Sequence, residues 1–237
     1  MTLTIPIQTA TSIPDFVTRW FDQLQPLPLA TVVTDPASSA IFSTDMIIGF
    51  CERGNLASPR VGALAGPVVD LFQRAHALGV REYVLTQDTH HPQTPEFEAW
   101  PVHCVRGTEE AETIPELRAL PFADRFTVIE KNSLAPGIET EFDTWLDAHP
   151  ALRTAIVVGN CTDLCVYQLA MSLRLRHNAR NVPGVAVIVP ANAVDTYDLP
   201  AEAAEAVGTL PHPGDFFHQV FLYHMALNGI QVVRELA

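Results

Sequence analysis

The sequence predicts an α/β protein: a three-layer, Rossmann-like fold in which a mainly parallel sheet of about six strands is flanked by helices. Three observations predict it. Short runs rich in Val and Ile, each about as long as a buried strand, recur along the chain. Longer stretches with helical patterning lie between them, and strand–helix alternation makes neighbouring strands parallel. With 237 residues, 48% apolar and 17% charged, the chain suits one large packed domain, spanning 1–237.

In order along the chain, residues 13–25 read as a helix within an N-terminal helical extension, 1–35. SAIFST is the first strand and leads to Asp45. PRVGALAGPVVDLFQRAHAL is a helix, and EYVLTQ a second strand leading to Asp88. FTVIE leads to Lys131, and ETEFDTWLDAH is the next helix. TAIVVG leads to Asn160 and Cys161, and TDLCVYQLAMSLRLRH follows as a helix. VAVIVP, the helix PGDFFHQVFLYHMAL and the strand IQVVRE complete the pattern. In open α/β sheets ligands bind beyond the carboxyl ends of the strands. Asp45, Asp88, Lys131 and a cysteine pair all fall at such ends, so they can converge.

Composition excludes several functions. A net charge of -13 argues against a nucleic-acid partner, whose phosphates need clustered Lys and Arg. No apolar run approaches the roughly 18 residues of a membrane span. The start, MTLTIPIQTATSIPDF, lacks a basic region followed by an apolar one, so the expected location is the cytoplasm. Four cysteines make no disulfide framework and point to catalysis, metal binding or packing.

GNCTDLCV carries two of them. Gly159-Asn160 permits a tight turn after the strand, and Thr162 or Asp163 can cap the helix that follows. Cys165 then lies in the first helical turn, where N–H groups and the helix dipole lower a thiol pKa and can hold an oxyanion. A buried, apolar Cys165 is the competing reading. TQDTHHPQTPEFEAWPVHCVRGT is long, Pro-rich and His-rich, unlike the regular pattern around it. Its Asp, His and Glu residues can bind a divalent ion such as zinc, iron or manganese.

GNCTDLCV resembles the nucleophile segment of the isochorismatase-like cysteine hydrolases, and within them the nicotinamidases, where a G-x-x-T-D-x-C-V pattern carries the catalytic cysteine. The resemblance implies that Cys165 is the nucleophile. It places a cis peptide bond at Asn160-Cys161 and an oxyanion hole at the N–H groups of Cys161 and Cys165. Asp45, Phe50, Cys51, Gly54 and Leu56 match the family spacing after the first strand, which makes Asp45 the general base. Ile47 and Gly49 stand where many nicotinamidases have Gln and Asn or Asp. Lys131 matches the lysine of an Asp-Lys-Cys triad. Asp-x-His, Trp-Pro-x-His-Cys and Gly-Thr in the histidine loop also match. They imply Asp88, His90 and His103 as metal ligands, with Glu96 as the fourth and Glu98 its alternative. His91 falls outside the set, and Cys104 is packing.

The match spans about residues 38–237 and looks most like plant-type nicotinamidases. It implies hydrolysis of nicotinamide to nicotinate and ammonia through a thioester, with a divalent ion, zinc first, contacting the pyridine nitrogen. Phe50, Trp100 and Asn160 fall in the implied substrate wall. The resemblance also allows a homo-oligomer. The rival substrate is another small amide or ureide; a metallohydrolase with an inert Cys165 and a non-catalytic binding module are rivals of other classes.

Overall fold

The computed structural model describes residues 14–237. The N-terminal helix expected over 13–25 is present as α1 (Asp15–Asp22). Residues 1–13 of the expected extension lie outside the described residues. Seven strands form one parallel sheet: β1 (Ser39–Thr44), β2 (Glu82–Asp88), β3 (Phe126–Lys131), β4 (Thr154–Asn160), β5 (Ala186–Pro190), β6 (Val194–Asp195) and β7 (Gln231–Val233). Their order is β3-β2-β1-β4-β5-β7, with β6 pairing the end of β4. The strand beyond the expected six is β6. Two residues are too few to show a period of two, so β6 carries no periodic signal.

The main helices are α2 (Ala65–Ala77), α3 (Phe142–Ala148), α4 (Cys165–Ala179), α5 (Ala201–Val207) and α6 (Gly214–Leu227). Successive strand residues point to opposite faces. Ile41, Tyr83, Leu85, Ile156 and Val158 therefore pack with Val68, Leu71 and Phe72 of α2 on one side. Ala40, Phe42, Val84, Ala155 and Val157 meet α3, α4 and α6 on the other. The helix expected over 59–78 is broken into a turn, Pro59–Gly62, and α2. Restarting at Ala65 puts Pro67 in a first turn, where its missing N–H costs nothing. β3 is an edge strand, and Val128 at its middle is 49% exposed.

The chain runs outward from β1 through β2 to β3, then crosses to β4 on the other side of β1. The topological switch point is thus between β1 and β4, where such sheets open a crevice. Gly159 lets the two strand ends approach: its φ is +110°, and a Cβ there would lie 2.0 Å from the Thr44 carbonyl oxygen. Gly159→Ala is expected to cost about 3 kcal/mol or more through clash and backbone strain. At this chain length that lowers Tm by about 6–12 °C. A calorimetric Tm within about 2 °C of the parent would show that the strand ends can part freely.

Candidate active site at the sheet switch point

Asp45 is the residue after β1 and takes φ +55°, a left-handed conformation uncommon outside Gly. That turn directs its carboxylate over the strand ends. Oδ1 accepts from the Asp88 N–H at 2.8 Å, and Oδ2 from the Thr44 hydroxyl at 3.1 Å. The Lys131 ammonium, at the end of β3, lies 2.9 Å from Asp45 Oδ2. It also donates to Asp88 Oδ1 and stands 3.5 Å from Cys165 Sγ. Asp45, Asp88, Lys131 and Cys165 are all buried.

Cys165 is the first residue of α4. The cap expected from Thr162 or Asp163 is not made. The Thr162 hydroxyl hydrogen-bonds His218 Nδ1 at 2.9 Å, and His212 Nε2–H donates to the Asp163 carboxylate at 2.8 Å. Leu164 takes the cap position with no side-chain bond. With both capping side chains engaged elsewhere, the Cys165 N–H stays open, while the Val166 N–H donates to the Cys161 carbonyl at 3.1 Å. The Asn160–Cys161 peptide is cis. Among the described residues, neither the Cys161 nor the Cys165 N–H has a backbone acceptor.

Burial raises the Cys165 thiol well above its usual range; Lys131 pulls it down, and the Asp45 and Asp88 charges add to the rise. The lowering expected from the helix start is therefore outweighed, which favours the thiol over the thiolate. Burial also raises Asp45, with Asp88 adding and Lys131 opposing, which makes it a stronger base than a free carboxylate. Burial works against the charge on Lys131, yet Asp45 and Asp88 hold it firmly as a cation.

Asp88 faces two ways. While Oδ1 meets Lys131, Oδ2 lies 3.5 Å from His90 Nε2 and 3.9 Å from His103 Nε2. Glu96 Oε1 is 3.7 Å from His90 Nε2. One donor atom from each of Asp88, His90, Glu96 and His103 lies within 4.8 Å of the others. His103 Nδ1–H donates to the Pro101 carbonyl at 2.7 Å, which leaves its Nε2 lone pair facing the cluster. His90 is fully buried, and neither of its ring nitrogens has a hydrogen-bond partner among the described residues. Such groups are rare unless something absent from the protein chain satisfies them. Two imidazoles and two carboxylates around one point fit a divalent ion. Glu98 is exposed and outside this group, as is His91.

A cleft of about 740 Å³ opens above these residues. Phe50 borders it and packs against the His103 ring, with centroids 5.6 Å apart. Trp100 borders it from the histidine loop. Asn160 lines the floor, but its side-chain amide donates to the Asp45 carbonyl and so braces the turn after β1. Ile47 is fully buried, and a Cβ on Gly49 would lie 2.6 Å from Cys104 Sγ. At both positions where the sequence departs from many nicotinamidases, close packing replaces a polar side chain. Tyr197, beside β6, also borders the cleft. Sequence reasoning did not single it out, because one aromatic after a two-residue strand gives no periodic signal.

Fold and site together define a parallel α/β protein with a buried Cys-Lys-Asp group at its switch point and a histidine–carboxylate set beside it. The isochorismatase domain model matches residues 39–212, and the chain belongs to that family. It is 30% identical over 230 residues to Nicotinamidase 1 of Arabidopsis thaliana, covering 91% of this chain and 92% of that one. It is 28% identical over 181 residues to the nicotinamidase/pyrazinamidase of Mycobacterium tuberculosis, covering 72% and 94% respectively. Among solved structures it is similar in fold to the pyrazinamidase of Pyrococcus horikoshii in complex with zinc. That likeness has a TM-score of 0.64 and 21% identity, and covers 83% of this chain and 99% of the other.

Proposed function

We propose that the chain hydrolyses nicotinamide to nicotinate and ammonia, with Cys165 as the nucleophile. The observation that carries the reading is the convergence of Cys165, Lys131 and Asp45 beside a four-donor metal set on one cleft floor. Two relatives bearing the nicotinamidase name support the substrate. Asp45 takes the Cys165 proton as the sulfur attacks the carboxamide carbon. The N–H groups of Cys161 and Cys165 hold the oxyanion, so charge develops where open donors already stand. Asp45 returns the proton to the departing ammonia, which leaves a thioester. Asp45 then removes a proton from water as its oxygen attacks the thioester, and returns that proton to the departing sulfur; the thiol is regenerated, and the nicotinic acid released ionises to nicotinate. Lys131 stays charged throughout, orienting Asp45 and offsetting negative charge near sulfur.

Asp88, His90, Glu96 and His103 would hold the divalent ion, for which zinc suits the donors and iron or manganese are alternatives. When bound, such an ion offers a Lewis-acid contact for a ring nitrogen and for water. Phe50, Trp100 and Asn160 shape the space for the ring. Four free cysteines support a reducing compartment such as the cytoplasm. Among the described residues no helix is long and apolar enough to cross a membrane.

Ammonia release from nicotinamide, compared with release from an aliphatic amide and a ureide, tests the substrate. Clear preference for nicotinamide is expected. Preference for the ureide would replace it with the related small-amide reading. A chelator should strip the ion, and His90→Ala should bring metal content from about one ion per chain to near none, since one imidazole of four donors is lost. Elemental analysis reads this directly. Full metal content in that variant would sink the four-donor assignment.

A further inference from the structure

Tyr197 lies two residues past the end of β6, whose Asp195 carbonyl accepts from the Thr162 N–H of the turn that presents Cys165. Three groups fix its position. The His212 ring stacks on it with centroids 3.8 Å apart and planes 14° from parallel, and Phe217 stacks on the other side of His212 at 4.3 Å. His212 is held at both nitrogens: Nδ1 bonds the Tyr197 carbonyl at 2.9 Å, and Nε2 bonds the buried Asp163 carboxylate of the nucleophile turn at 2.8 Å. The main chain closes the same loop. Leu199 and His212 exchange backbone hydrogen bonds of 2.8 and 2.9 Å, and the Gly214 N–H donates to the Asp198 carboxylate at 2.7 Å. Tyr197 is thus built into the support of the nucleophile turn.

On the cleft side, the Trp100 ring lies 6.2 Å from Tyr197 and nearly perpendicular to it, at 83°. Phe50 and Cys161 belong to the apolar cluster on which Tyr197 packs. Rings from three separate segments therefore bound one space above Cys165. Aromatic walls favour flat rings over flexible chains of equal size, and rigid walls lose little freedom when a ligand binds.

We propose that Tyr197 is a specificity-determining wall residue, held by His212 and Asp163, that selects planar heteroaromatic amides over flexible aliphatic amides and ureides. The proposal rests on the amide-hydrolase reading of Cys165 and adds a residue that sets which amides enter. His212 is a positioning residue, acting through Tyr197.

The test uses the full chain loaded with zinc. Tyr197→Ala should lower kcat/KM for nicotinamide relative to an aliphatic amide by about tenfold, mostly through KM. Tyr197→Phe, which keeps the ring, should restore the ratio to within about threefold of the parent. His212→Ala should move the ratio in the same direction as Tyr197→Ala. In the Cys165→Ala background, where no turnover intrudes, calorimetric binding of nicotinamide should weaken about tenfold on adding Tyr197→Ala. A Tyr197→Ala ratio unchanged from the parent, or no weakening of binding, would overturn the proposal; so would absence of nicotinamide binding to the Cys165→Ala protein. A parent that binds nicotinamide through Tyr197 without releasing ammonia would leave the wall standing and remove the proposed hydrolysis instead.

Discussion

Cys165→Ala should lower kcat for nicotinamide by about 10⁴-fold or more, because groups that act as a unit lose most of their effect when one is removed. The ammonium of Lys131 and the carboxylate of Asp45 would remain around an empty place where sulfur stood. Neither can form the covalent intermediate. Binding should survive, since the rings of Phe50 and Trp100 and the four-donor set stay in place when the sulfur is removed from the cleft floor. Ammonia release and nicotinamide affinity, measured on the same zinc-loaded protein, check both halves. Activity within about tenfold of the parent would mean that water attacks the amide directly, with the ion as its activator and the cysteine as packing. Loss of both binding and turnover would point to collapse of the turn between β4 and α4.

The second large effect concerns stability. Lys131→Met should destabilise the protein by about 3–5 kcal/mol, a Tm loss of about 6–20 °C, while also removing activity. Lys131 is the cation placed directly between two buried carboxylates. Methionine keeps the volume but leaves Asp45 and Asp88 facing each other across a dry space. Adding zinc should recover part of the loss, because the ion would neutralise Asp88 from its other side. Thermal unfolding with and without a chelator measures both effects. A Tm within about 3 °C of the parent in the metal-free state would show that water enters and screens the pair.

The main strands were legible because buried parallel strands read as unbroken apolar runs: SAIFST and TAIVVG appear at full length as β1 and β4. The polar residues after them were legible as a set because strand ends of one sheet must meet at one edge. What escaped prediction depends on tertiary partners. Thr162 and Asp163 have the chemistry of helix caps, and only the fold brings His218 and His212 close enough to engage them. The thiol of Cys165 was expected to be lowered by the helix start, but burial is a property of the whole packed site and dominates. β6 and the loop carrying Tyr197 had no periodicity to read. Glu96 faces the histidines and Glu98 does not, a difference that the run PEFE, which holds both, does not reveal by its spacing.

Asp88 offers one oxygen to Lys131 and the other to the histidine cluster. A side chain shared between two neighbours cannot be altered for one alone. Asp88→Asn would keep the size of the group but weaken the hold on the ion and, in the same stroke, release the lysine that orders the sulfur. Such a variant would test the two proposed roles of Asp88 together, so its loss of activity could not be assigned to the ion alone. The same sharing limits how the chain can drift over generations. On the proposed roles, the histidine loop cannot be discarded while the thiol chemistry is kept, unless another residue first takes over the Lys131 side of Asp88.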